Sequence, residues 1–217
     1  MKKRAFGKTG FDTSDVGLGC WQLGGFCWGD VDEPKAFDIL NAAVENGVNF
    51  FDTADVYGEG RSEILIGAFL KQCSSDIYIA SKLGRFPRPG WPANFTREVM
   101  KQHIEASLER LGIDALDLVQ LHCIPADVMA AGEVFDYLRE FKQEGLIKDF
   151  GASVESMDEA VMCLGQDGLA SLQVIFNIFR RKPITALFDT AAEKGVAIIA
   201  RVPLASGLLS GKISLDT

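Results

Sequence analysis

Apolar residues in this chain fall into short, near-continuous runs of Val, Ile, Leu and Phe, separated by longer stretches in which they recur every three to four positions. Runs of the first kind predict strands: Val16–Cys20, Val48–Thr53, Ile77–Lys82, Asp117–His122, Ile147–Ser153, Leu172–Asn177 and Val196–Arg201. Strict apolar–polar alternation, the mark of a sheet with one wet face, is weak in all of them, so parallel strands covered on both faces are expected. The intervening period is helical. Thr96–Leu111 places Met100, Ile104, Leu108 and Leu111 on one face, and Val134, Leu138 and Phe141 do the same ahead of Gly145. Ser156-Met157-Asp158-Glu159 spells a capping box, and Gly47 and Gly195 stand where two further helices should stop.

Strict βα alternation with a repeat of about thirty residues leaves two α/β architectures, a doubly wound open sheet or a (β/α)8 TIM barrel. The first should carry GxGxxG after its opening strand. Gly17-Leu18-Gly19-Cys20-Trp21-Gln22 has two of the three glycines, and Gly58-Glu59-Gly60-Arg61-Ser62-Glu63 fails at the same place. Gly207-Leu208-Leu209-Ser210-Gly211-Lys212 is one residue short of a phosphate-loop spacing. The barrel is the better reading, as a single domain over residues 1–217 with no Ser/Pro/Gly linker to divide it. Its length accommodates seven βα units where a closed barrel needs eight. The expectation is an incomplete barrel without its eighth strand and last helices, hence a fragment of a longer product.

Composition narrows the partners. With 30 acidic against 22 basic residues and a net charge of −8, neither nucleic acid nor an anionic membrane is expected as a partner, and small molecules are favoured. Met1-Lys2-Lys3-Arg4 is not followed by the apolar stretch of a secretory signal, so a cytoplasmic location is expected. The five cysteines, Cys20, Cys27, Cys73, Cys123 and Cys163, are dispersed without a CxxC and read as reduced thiols, most of them in the core. His103 has no Cys or His partner at ligand spacing, so it reads as a surface or packing residue and no metal is expected. Nothing in the sequence fixes an oligomeric state.

In a barrel the chemistry sits at the C-terminal ends of the strands. Asp52, Lys82 and His122 each end an otherwise apolar strand, and Tyr57 lies in the loop after Asp52. Singly, these are a turn residue, a solvated strand end, a core histidine and a packing aromatic. Together on one rim they form an acid–base device. Tyrosine titrates near ~10, and an adjacent ammonium lowers that value by stabilising the phenolate. Asp52 would orient Lys82, Lys82 would acidify Tyr57, Tyr57 would protonate an alkoxide forming on a bound carbonyl, and His122 would donate a second hydrogen bond to that oxygen. Such a site needs an external hydride donor.

These residues lie in stretches that resemble the aldo-keto reductases: Phe6-Gly7-Lys8-Thr9-Gly10, Gly17–Trp21, Gly47–Gly58 with its Asp52-Thr53-Ala54-Asp55-Val56-Tyr57-Gly58, Ser107–Asp114, Asp117–His122 and Val202–Lys212, in order along the chain. The resemblance implies a catalytic tetrad of Asp52, Tyr57, Lys82 and His122. It also implies NADPH as cofactor, with NADH not excluded, and a small aldehyde or ketone as substrate. Cofactor contacts would come from Cys20, Trp21, Asp52, Ser153, Gln173 and Arg201. The loop Pro203 to Lys212 would cover the pyrophosphate through Pro203, Leu204, Ser206, Gly207 and Lys212. Trp21, Trp28, Tyr57, His122 and the Gly84–Phe95 loop would line the substrate mouth. Val154 stands where many members carry Asn or Arg, Cys20 where Thr is common, and Arg201 where an aromatic stacks on the nicotinamide, a role a planar guanidinium can take. The family's 2′-phosphate pocket falls in the missing portion, so a chain ending at Thr217 is expected to bind NADPH weakly. A cofactor-sensing subunit like the potassium-channel β subunits, or an inactive truncated barrel, are the alternatives; those subunits commonly lack the active-site His, which this chain has as His122.

Overall fold

The computed structural model describes residues 1–25 and 31–213. Within them, an N-terminal hairpin of β1 (Lys3–Ala5) and β2 (Asp12–Ser14) precedes a parallel sheet of seven strands. These are β3 (Leu18–Gly19), β4 (Phe50–Asp52), β5 (Tyr78–Leu83), β6 (Leu116–His122), β7 (Ile147–Ser153), β8 (Leu169–Ile175) and β9 (Ala197–Arg201), paired in chain order. Each crossover passes through helix: α1 (Glu33–Glu45), α2 (Arg61–Leu70), α3 (Arg97–Leu111), α4 (Ala126–Ala131) with α5 (Glu133–Gln143), α6 (Met157–Cys163), and α7 (Pro183–Ala186) with α8 (Phe188–Lys194). Sequential parallel pairing with helical crossovers is how a (β/α) barrel is laid down.

The expected strands are present with shifted ends. β7 matches to the residue, β3 shrinks to Leu18–Gly19, and β8 begins at Leu169 rather than Leu172 and stops at Ile175 rather than Asn177. The helix signals hold. Thr96 caps α3 by accepting from Val99 N–H, Ser156 and Glu159 form both halves of the capping box on α6, and Gly195 ends α8 in the left-handed region. Four of the cysteines are free thiols, Cys20 and Cys163 buried and Cys73 and Cys123 half-buried, while Cys27 lies outside the described residues.

Two apolar layers flank the sheet. The larger packs helices against its outer face, with Leu40, Ile66, Met100, Leu111, Leu138 and Phe141 all under 2% exposed. The smaller gathers Phe6, Phe50, Ala80, Leu118 and Ala170 on the inner face. Phe6 stacks on Phe11 with ring centroids 5.1 Å apart, and Phe11 stacks on Tyr78 at 4.4 Å, so the hairpin plugs the N-terminal end of the sheet. Because side chains alternate along a strand, the residues two further on share that inner face at its other end. They are Asp52 beyond Phe50, Lys82 beyond Ala80, and Gln120 and then His122 beyond Leu118. One face therefore carries an apolar floor and a polar rim. No helix among the described residues is long and apolar enough to cross a membrane.

Candidate active site

Strand register assembles the rim. Lys82 pairs with Gln120, His122 with Ser153, and Ser153 with Gln173, which places side chains from β5, β6, β7 and β8 in one row beside Asp52 of β4. Lys82 is the hub. Its side chain is 1% exposed, and Nζ donates to Asp52 Oδ2 at 2.7 Å and to the Thr53 carbonyl at 2.8 Å. Burial works against its charge, but Asp52 and Tyr57 outweigh burial and raise its pKa above the ordinary value. Asp52 also accepts from Gln120 Nε2 and from Gln173 Nε2, each at 3.0 Å, so three donors from three strands hold its carboxylate.

Tyr57 lies over this pair, with Lys82 Nζ 5.2 Å from its ring centroid. Its ring meets His122 edge-on at 5.7 Å, and the Trp21 ring lies 6.3 Å away on the other side. Burial raises the Tyr57 pKa by more than Lys82 lowers it, so Tyr57 is a weaker acid than free tyrosine, which corrects the expected acidification. Burial of the phenol is the larger effect, and charge proximity alone misses that cost. His122 is shifted the other way. Burial first, then the charges of Lys82, Arg85 and Arg201, push it well below its ordinary value and keep the imidazole neutral.

The chain entering the site is fixed by a close backbone approach. Gly58, at φ +63°, and Gly24 touch so tightly that a Cβ on Gly58 would lie 2.3 Å from the Gly24 carbonyl oxygen. That contact seats the turn bearing Trp21 against the loop bearing Tyr57. Gly58→Ala is expected to lower stability by about 1–3 kcal/mol, through overpacking and a strained φ. Chemical denaturation of the purified variant measures the loss.

Of the expected cofactor residues, the rim brings together Asp52, Ser153, Gln173 and Arg201. Ser153 Oγ donates to Gln173 Oε1 at 3.1 Å, and both side chains are about 2% exposed. Arg201 at the end of β9 donates to the Val154 carbonyl at 3.1 Å and approaches Cys123 Sγ at 3.7 Å, which holds its guanidinium over the β7 end of the rim. Pro203, Leu204, Ser206, Gly207 and Lys212 lie in the exposed or partly exposed segment around the 3-10 turn Ala205–Ser210. Cys20 departs from expectation. It is fully enclosed, its thiol faces the Leu18 carbonyl at 3.5 Å, and burial pushes its pKa up, so its side chain faces the core and not the mouth. Trp28 lies outside the described residues.

Several site residues carried no separate signal in the sequence. Gln120 sits inside an apolar run, and only its position two residues before His122 on the same face marks it. Behind the loop, Glu63 is fully buried between Ser81 Oγ at 2.5 Å and Arg110 Nε at 2.7 Å, which anchors α2 and α3 beneath β5. Three buried polar atoms around the rim, Gln120 Oε1, His122 Nδ1 and Arg201 Nε, have no hydrogen-bond partner among the described residues. Such unspent capacity beside Ser153 and Gln173 fits a planar, amide-bearing ligand such as a nicotinamide.

Comparison with known proteins agrees with this geometry. Residues 15–217 match the Aldo/keto reductase family. The uncharacterized oxidoreductase YqkF of Bacillus subtilis is 34% identical over 98% of this chain and 68% of its own length. The NADH-specific methylglyoxal reductase of Escherichia coli is 31% identical over 100% and 71%. Among solved structures, the holo form of the aldo-keto reductase AKR11C1 from Bacillus halodurans superposes with a TM-score of 0.87 at 34% identity, covering 99% of this chain and 70% of that one. The chain belongs to the aldo-keto reductase family, oxidoreductases that act on carbonyl compounds with nicotinamide cofactors. It spans about two thirds of the length of these relatives, and its seven parallel strands correspond to seven of the strands of their (β/α)8 barrel.

Proposed function

We propose that this chain reduces small aldehydes or ketones to alcohols, reversibly, with a reduced nicotinamide nucleotide as co-substrate and Tyr57 as the proton donor. The observation that carries the reading is the buried Lys82 ammonium, held by Asp52 at 2.7 Å beneath the Tyr57 ring and with His122 edge-on to that ring. When bound, the nucleotide supplies the hydride that no side chain can deliver. Every other step belongs to the protein. Tyr57, its pKa raised by burial, holds its proton at neutral pH. As negative charge develops on the carbonyl oxygen, Tyr57 Oη transfers that proton to it, leaving a phenolate beside Lys82. Asp52, restrained by Gln120 and Gln173, keeps Lys82 charged and in place for that moment. Neutral His122 donates a hydrogen bond to the same oxygen and adds no competing positive charge.

Ser153 and Gln173 would hold the carboxamide, Arg201 would lie against the nicotinamide ring, and Pro203, Leu204, Ser206, Gly207 and Lys212 would cover the pyrophosphate. Asp52 would also contact the nucleotide, and Trp21, with Tyr57 and His122, would line the substrate mouth. NADPH is the nucleotide proposed; the Escherichia coli relative is described as NADH-specific, so NADH belongs in the same test. A panel of aldehydes and ketones, followed by the absorbance of reduced nicotinamide with either nucleotide, is expected to give oxidation that depends on the carbonyl compound. Absence of such oxidation with both nucleotides, in protein whose nucleotide binding has been verified by titration, overturns the assignment.

A further inference from the structure

Asp55 and His103 meet behind the tetrad, on the side of the catalytic loop that faces α3. Asp55 lies between Asp52 and Tyr57, is 1% exposed, and is held in place by its backbone N–H, which donates to the Lys82 carbonyl at 3.1 Å. Apart from the backbone N–H of Val56, neither carboxyl oxygen of Asp55 has a hydrogen-bond partner among the described residues. His103 Nδ1 lies 3.9 Å from Asp55 Oδ2, and it too is buried without a partner. The other ring nitrogen, Nε2, is 3.2 Å from the carbonyl of Arg88, and the ring packs on Phe86 at 5.4 Å. Both contacts lie in the segment Gly84–Phe95, which borders the mouth and is tied to the Tyr57 loop a second time by the Arg88–Glu59 ion pair.

The charged groups around Asp55 do not offer it a partner. Glu63 from α2 repels a carboxylate, and Arg110 from α3 spends its guanidinium on Glu63 and Ser107. Lys82 from β5 directs its ammonium to Asp52 and Thr53. On its other side His103 faces Ser81, Lys82 and Ser107, whose side chains are all buried. Tautomer chemistry then decides what the pair can do. With Nε2–H donated to the Arg88 carbonyl, Nδ1 is an acceptor, and a protonated carboxyl is the donor that complements it. At 3.9 Å the pair needs a small side-chain adjustment to reach hydrogen-bond distance, after which one proton joins both atoms, whereas without it a carboxylate faces a lone pair. Burial and the neighbouring Glu63 push Asp55 up to about 8, and burial holds His103 below its ordinary value, so both directions favour a carboxylic acid beside a neutral imidazole.

We propose that Asp55 and His103 share a single proton, and that this proton latches the mouth segment 84–95 to the loop carrying Tyr57. Both are positioning residues. Their effect on turnover rests on the reductase reading above, whereas the latch itself does not. The sign follows from the acid: below the pKa of Asp55 the latch is closed, and as pH rises through it the carboxylate forms and the segment is released.

Amide hydrogen exchange of peptides covering residues 84–95, corrected for intrinsic rates, tests this in the full chain between about pH 6 and 10. Wild type is expected to lose at least tenfold in protection across a step near the Asp55 pKa. Asp55→Asn, whose amide donates to Nδ1 at every pH, is expected to stay protected with no step. His103→Phe is expected to be unprotected throughout. Because the chain has two histidines, ¹⁵N spectra of the wild type, assigned with His103→Gln, report the His103 tautomer without relying on any variant's fold. A neutral Nε2–H tautomer at pH 7 agrees with the latch. A wild-type segment with no pH step, a step that persists in Asp55→Asn, or a His103 that carries its proton on Nδ1 overturns it. Neither readout needs turnover, so failure of the reductase assignment and failure of the latch are distinguishable.

Discussion

Tyr57→Phe is expected to lower kcat/KM for carbonyl reduction by ~10²–10⁴-fold, the range that one positioned general acid contributes. The substitution is unusually clean. The ring keeps its contacts with Trp21 at 6.3 Å, His122 at 5.7 Å and Lys82 at 5.2 Å, so packing and the fold are retained and only the hydroxyl is lost. Nucleotide affinity, measured by titration, is expected to stay within a few-fold of wild type, and the urea midpoint to move little. Because burial raises the Tyr57 pKa, wild-type reduction should not fall away at neutral pH through loss of the phenolic proton. A variant retaining more than a tenth of wild-type kcat/KM would mean that water or another side chain supplies the proton.

Asp52→Ala should be the most destabilising single change at the rim. It leaves Lys82, 1% exposed, with the Thr53 carbonyl and Tyr57 but without its countercharge, and deprives Gln120 and Gln173 of their common acceptor. Removing one member of a buried ion pair typically costs about 3–5 kcal/mol, because the other charge stays desolvated. Asp52 is partly exposed, so the lower end of that range is expected in urea denaturation at pH 7. The pH dependence should also reverse sign. In wild type the Lys82 pKa lies above its ordinary 10.5, so its contribution is full below that pH and is lost above it. With Asp52 gone, burial takes over and depresses the Lys82 pKa. The unfolded chain then binds more protons than the native one below about pH 10.5, and stability should rise with pH toward that value. A loss below about 1 kcal/mol with no such slope would mean that solvent reaches Lys82 and does the work assigned to Asp52.

Much of this was legible in the sequence where a residue stood out from its surroundings. Asp52, Lys82 and His122 are polar ends on apolar strands, and periodicity alone places them on one rim. β7 was readable to the residue because Gly145 marks the turn before it and Ser156 the cap after it. The β1–β2 hairpin was not, since three-residue strands are too short to display a period. Gln120 hides for another reason: in a strand covered on both faces, apolar neighbours conceal which side chains look inward. The Tyr57 shift could not be read from spacing, because charge proximity is visible in a sequence and desolvation is not. Cys20 shows the same limit, since its neighbour Trp21 is half exposed while Cys20 itself is sealed. Asp55 stands between two residues with clearer roles, and only its burial beside His103 sets it apart.

The aromatic plug at one end of the inner sheet and the polar rim at the other divide the consequences of mutation. Changes at Phe6, Phe11, Phe50 or Tyr78 are expected to act on cohesion, whereas changes at Trp21, His122, Ser153 or Arg201 are expected, on the proposed function, to act on what is bound. If the rim binds as proposed, a lineage carrying this chain could change what it accepts there while the opposite end goes on holding the strands together.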